Sequence, residues 1–184
     1  MDGSRGLNVS RPRLLFPALL GDAFETLPPR VRALHLHAGR QRLQGEVEVE
    51  RGSGWLSRLC AWATRLPPAG SGSIAVDIDA SPITERWTRH VAGHAMPSQL
   101  WARDGVLCER LGLVTFGFRL QVEDAAIVWR VARVRVSVLS LPARWFSEVR
   151  ARESQEDDRY CFDVVAALPL AGLLVRYRGW LDVR

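Results

Sequence analysis

The sequence predicts an α+β, mainly β fold: a long curved antiparallel sheet or barrel of about eight to ten strands behind two or three N-terminal helices. Three observations carry this expectation. From Leu43 onward, apolar residues recur at every second position in one segment after another, the spacing of strands that bury one face. The strand-rich part shows no βαβ alternation and no internal repeat. A meander of that length tends to curl or close, because closure removes its exposed edges. A two-sheet sandwich is the alternative.

Residues 1–12 are polar and glycine-bearing and read as a flexible arm, leaving a single β-rich domain over 13–184. Leu15, Leu19, Leu20 and Phe24 follow at helical spacing. "LPPR" stops that helix, since a proline disfavours helical geometry in the residue before it. Pro29 is suited to open a second short helix through "VRALHLH", with Gly39 as its stop. "RLQGEVEVERG" then sets Leu43, Gly45, Val47 and Val49 against Gln44, Glu46, Glu48 and Glu50, a strand with an acidic outer face. Ser53 is a candidate N-cap for a helix in which Trp55, Leu59, Trp62 and Leu66 share one face before Pro67 and Pro68 end it.

The remaining segments read as strands. "SIAVDIDA" and "TFGFRLQVED" alternate cleanly. The run "AAIVWRVARVRVSVLSLP" points Ile127, Trp129 and Val131 one way and Val134, Val136 and Val138 the other, so a bulge near Ala132 is expected. "RYCFDVVAALP" and "GLLVRYRGWLDV" form two more strands joined through "LPLAG".

All 25 basic residues are arginine, and without lysine there is no side-chain Schiff base, P-loop lysine or lysine general base. The pI is 10.0. The net charge is only +5, and the arginines are interleaved with Asp and Glu, which fits a mixed-sign surface better than a phosphate-tracking one; no nucleic-acid partner is expected. Cys60, Cys108 and Cys161 stand apart with no CxxC, which argues against a disulfide framework and for a reducing, cytoplasmic compartment. No apolar run approaches the roughly 20 residues of a membrane span.

The stretch "TERWTRHV" holds the chemistry. On a strand, Glu85, Trp87, Arg89 and Val91 share one face, and the apolar members favour that face as the inner one. Glu85 and Arg89 then lie roughly 13 Å apart along the strand, too far to pair, so each needs another partner or a ligand. The alternative is that both reach water or pair with neighbouring strands. In the last strand Tyr177 points to the same interior, with Glu85 or Arg89 as a possible hydrogen-bond partner. Ser98 has no nucleophile elbow around it and counts only as a ligand-contacting hydroxyl. His35 with His37, and His90 with His94, do not make a metal set at their spacing, and "AGSGS" precedes a strand and not a helix; no metal and no cofactor are expected.

Together, "LLGDAFETLPPRVRALH", "ERWTRH" followed by "PSQLW", and "FDVVAALPLAGLLVRYRGWL" resemble an uncharacterised bacterial domain-of-unknown-function family. That family is found alone or fused to saccharopine-dehydrogenase-like reductases. "YRGWL" is the most specific piece, and His90 stands where an aromatic residue is expected. The resemblance implies a nicotinamide-dependent reductase as a partner; this chain has no GxGxxG and is not itself that reductase.

Three functional readings follow. The first is a binding module whose concave sheet holds a small, largely apolar, acidic or lipid-like molecule against Trp87, Arg89, Glu85, Tyr177 and Ser98. The second is a noncovalent acid–base enzyme of isomerase or cyclase type, with Glu85 moving a proton and Arg89 stabilising negative charge. The third is an accessory domain of a reductase.

Overall fold

The computed structural model describes residues 13–55, 58–59, 62, 68–169 and 172–184. The arm expected over residues 1–12 lies outside them. So does most of the helix expected from Ser53 to Leu66, in which Trp55, Arg58, Leu59 and Trp62 are described as helical.

Two short helices come first, α1 at Leu15–Leu20 and α2 at Pro29–Leu36, joined by a tight 3-10 turn at Gly21–Thr26. Pro17 is tolerated because it falls in the first turn of α1, where backbone N–H groups have no helical partner. Pro29 opens α2 and Pro28 before it is extended. Leu15, Phe16, Phe24, Val31 and Leu34 are buried by this unit.

Eleven strands follow: β1 Gly39–Arg51, β2 Gly70–Ala80, β3 Thr84–Val91, β4 His94–Arg103, β5 Val106–Leu111, β6 Val114–Glu123, β7 Ala126–Val136, β8 Leu139–Leu141, β9 Arg150–Glu156, β10 Arg159–Leu168 and β11 Gly172–Leu181. They form one antiparallel sheet in the order β6-β5-β4-β3-β2-β1-β11-β10-β9-β7-β8. The further pairing of β6 with β7 closes ten of them into a barrel, with β8 as an extra strand outside the ring. The expected curved sheet therefore closes fully, and the sandwich is not formed.

One register slip marks the expected bulge: Gly117 pairs with Arg133 and Phe118 with Val131, which leaves Ala132 unpaired. Ile127, Trp129, Val134 and Val136 consequently all join the core side of the wall. The apolar run does not continue as one strand to Pro142, however. Ser137 adopts φ 55°, and β8 folds back onto β7 with Leu141 opposite Val134.

Hairpin ends divide the barrel into two ends. At one, the turns 81–83, 104–105, 124–125 and 157–158 meet the N-terminal helices, which plug it; α1 packs on β4, β5 and β6, and α2 on β9 and β10. At the other lie the turns 92–93, 112–113 and 137–138 and the segment between β1 and β2. That end is the mouth.

The seam between β1 and β11 depends on two glycines. A side chain at Gly45 would run into the backbone carbonyl of Trp180, and one at Gly179 into the carbonyl of Glu46 and the ring of Phe162. Gly179 is the glycine of "YRGWL", so that stretch lies where β1 and β11 approach closely. Gly45→Ala is expected to cost about 1–3 kcal/mol in urea unfolding by forcing the two strands apart. Gly72→Ala, with nothing close to the added carbon, is the control and should stay within about 0.5 kcal/mol of the parent.

Candidate functional site

Strand β3 presents Glu85, Trp87, Arg89 and Val91 inward, as its sequence alternation requires. Glu85 and Arg89 do not pair with each other. Each has its own partner: the Glu85 carboxylate accepts the indole N–H of Trp87 at 2.8 Å, and the Arg89 guanidinium donates to Glu109 on β5 at 3.2 Å and to Ser98 Oγ on β4 at 3.1 Å. Arg89 also lies over the Trp87 ring, 5.2 Å from its centroid, where the ring's electron-rich face attracts a cation.

A cavity of about 400 Å³ fills the barrel above Trp87. Its walls are largely apolar: Ile74 and Val76 from β2, Phe116 and Phe118 from β6, Trp129 from β7, and Phe162, Val164 and Ala166 from β10. Arg89, Glu109, Arg150, Glu153, Tyr160 and Tyr177 add polar groups to the lining. Strand β10 shows the effect of the hollow on burial. After Tyr160 every residue is only partly buried, because the inward side chains face empty space and the outward ones face solvent. Glu85 and Ser98 are buried but lie behind the lining, Glu85 toward the helical plug and Ser98 beneath Arg89.

Next to Glu85 lies a second polar cluster. The His35 imidazole of α2 is stacked on Phe16, 3.6 Å between centroids, and its Nε2 meets Glu153 Oε2 of β9 at 2.6 Å. Tyr160 hydrogen-bonds the same carboxylate. His35 Nδ1 and the indole N–H of Trp129 are buried with no hydrogen-bond partner.

Burial governs the electrostatics. It raises the Glu85 carboxyl above its ordinary value of 4.5, and the nearby His35 and the Trp87 N–H only partly offset this. Burial is the largest influence on Arg89 and works against its charge, yet Glu109, Tyr177 and Tyr160 together leave the guanidinium raised above its ordinary value. Burial pushes both tyrosines up, Tyr160 furthest with Glu153 beside it, so each keeps its phenolic hydrogen at neutral pH. Neither Glu85 nor Arg89 bonds the Tyr177 hydroxyl among the described residues, contrary to the expectation that one of them partners it; it remains a free donor facing the hollow.

Sequence reasoning brought together Trp87, Arg89 and Tyr177 as they are found, and missed Glu109, Glu153, His35 and Tyr160. Glu109 interrupts the apolar pattern of the short strand β5, and Glu153 lies in β9, whose only apolar residue is Ala151. An acid on the core face of a strand facing a lone inward arginine was the one available signal for Glu109. Among the described residues no group of three or more His, Cys, Asp or Glu side chains gathers as a metal set.

Because the folded-state value of Glu85 lies above its unfolded one, the stability it contributes is complete below about pH 4.5 and declines as pH rises through the raised value. Glu85→Gln stays neutral and still accepts the Trp87 N–H. The variant should lose that decline and match or exceed the parent in thermal stability at neutral pH, measured by melting curves from pH 4 upward.

No curated protein matches the chain. The family model described as "Domain of unknown function (DUF4166)" matches residues 27–181, from the turn before α2 to the end of β11 and so every strand of the barrel. The chain belongs to the DUF4166 family.

Proposed function

We propose that the barrel binds a small, largely apolar molecule in its cavity, oriented by Tyr177 and Arg89. The observation that carries this reading is the hollow itself: about 400 Å³, apolar around most of its wall, with one unpartnered phenol and one buried guanidinium turned into it. Small-molecule sites are commonly built this way, from apolar walls and a few placed polar groups, in cavities of roughly 300–1,000 Å³.

The wall also bears on the head group. Arg89 is already neutralised by Glu109, and Glu153 adds a second carboxylate. Beside Arg89 an acidic head is therefore less well served than a hydroxyl or carbonyl, and a lipid-like alcohol or ketone fits best there. Arg150 of the lining, unpaired among the described residues, stands where the wall is exposed. A second reading has its own support. Glu153 lines the cavity with His35 behind it and Tyr160 bonded to it, an arrangement suited to moving a proton without covalent chemistry. On that reading Glu153, and not the more deeply placed Glu85, is the acid–base residue. Docking to a reductase has less to support it: on the outer wall Arg176 is already paired with Asp163 and Arg178 with Glu48.

The test is displacement of a fluorescent apolar probe by long-chain alcohols and by the matching acids. The alcohols should displace better. Ala166→Phe, which fills the hollow, should abolish uptake while the protein stays folded, and Tyr177→Phe should weaken the alcohols about five-fold, the worth of roughly 1 kcal/mol for one hydrogen bond. Uptake that survives Ala166→Phe would place the ligand elsewhere.

A further inference from the structure

The described residues expose nine large apolar side chains, and their distribution is lopsided. Leu36 and Ile83 lie at the plugged end. The other seven surround the mouth: Leu113 in the turn 112–113, Val138 and Leu139 beside the turn 137–138, Trp145 in the 3-10 turn Ala143–Phe146, and Trp55, Leu59 and Trp62 between β1 and β2. Their exposure is substantial, 86% for Val138 and 71% and 72% for Trp55 and Trp62. Leu59 and Trp145 also line the cavity, so this apolar rim is continuous with the opening. A soluble protein rarely leaves such a contiguous patch without a partner.

Charge is polarised along the same axis. Arg58, Arg135, Arg144 and Arg150 are exposed around the mouth, and none is in an ion pair among the described residues. Residues 51–76 and 125–147 contain no acid at all; the exposed acids nearby are Glu50 and Glu148. At the plugged end acids crowd the turns, with Asp104, Asp124, Asp157 and Asp158 there and Asp22 and Glu25 between the helices. Exposed indoles among unpaired arginines match the boundary of an anionic bilayer, where the ring's apolar body and N–H are both satisfied and the guanidinium meets phosphate. A protein partner's apolar face would account for the rim but not for the arginines left without acids.

We propose that the mouth of the barrel docks on anionic phospholipid surfaces, which places the cavity opening against the bilayer. The contact stands on the rim and does not require the cavity to hold a ligand. No helix among the described residues is long and apolar enough to cross a membrane.

Co-sedimentation with vesicles of phosphatidylcholine, with and without added phosphatidylglycerol, tests this. Binding should appear with phosphatidylglycerol at low salt and fall as salt rises. Arg135→Gln, Arg144→Gln and Arg150→Gln should each weaken it about five-fold, which is what roughly 1 kcal/mol per arginine near the surface amounts to. Trp145→Ser with Leu139→Ser should weaken it further. Leu36→Ser with Ile83→Ser, equally exposed but at the plugged end, should leave it unchanged. Absence of binding to anionic vesicles at low salt, or binding indifferent to the rim variants, would overturn the proposal. Concentration-dependent dimers abolished by the Trp145 and Leu139 changes would overturn it too, in favour of a second copy covering the rim. Displacement of the apolar probe, read on Arg135→Gln and Arg144→Gln, whose residues are outside the cavity lining, reports the cavity separately.

Discussion

A closed wall of ten strands encloses more volume than its own inward side chains fill, and much of this protein follows from that constraint. Aromatic residues from β6, β7 and β10 narrow the space without closing it. The helices α1 and α2 take up the volume at one end, with Phe16 stacked on His35 and tilted against Trp129. What remains is a hollow with a floor of buried polar groups and an open top.

Buried charge is the second constraint. An ionised group taken out of water is costly unless it is paired and hydrogen-bonded. The barrel meets that requirement with partners drawn from separate strands. Arg89 of β3 meets Glu109 of β5 across β4, and His35 of the helical plug meets Glu153 of β9. The second pair joins residues 118 positions apart and braces the helical plug against the wall. The hydroxyl of Tyr177 is outside this scheme among the described residues.

From floor to mouth the character of the protein changes steadily. His35, Glu85 and Glu153 gather near the plug, the Arg89–Glu109 pair stands in the wall nearer the mouth, and an exposed apolar rim with unpaired arginines surrounds the opening. The outer wall shows the opposite habit. There, acids on β1 and β10 pair with arginines on β11, which keeps that surface wet and self-sufficient.

Strands with a pure apolar alternation were legible from the amino-acid order, because period two is a local property: β1, β2, β3 and β6 follow directly from it, and so does the bulge at Ala132. The inward set of Glu85, Trp87 and Arg89 was legible for the same reason. Strands β5 and β9 were not, since Glu109 places a charge where the pattern calls for an apolar residue and β9 has no apolar residue but Ala151. The break at Ser137 was also hidden, because a run of valines reads alike whether it continues or folds back on itself. The sequence by itself therefore determined the kind of fold and which side chains turn inward. Only the tertiary structure decided that the sheet closes and which acid meets which base. Local spacing records the direction of a side chain, while a partner more than a hundred residues away, as Glu153 is for His35, is chosen by the curvature of the whole sheet.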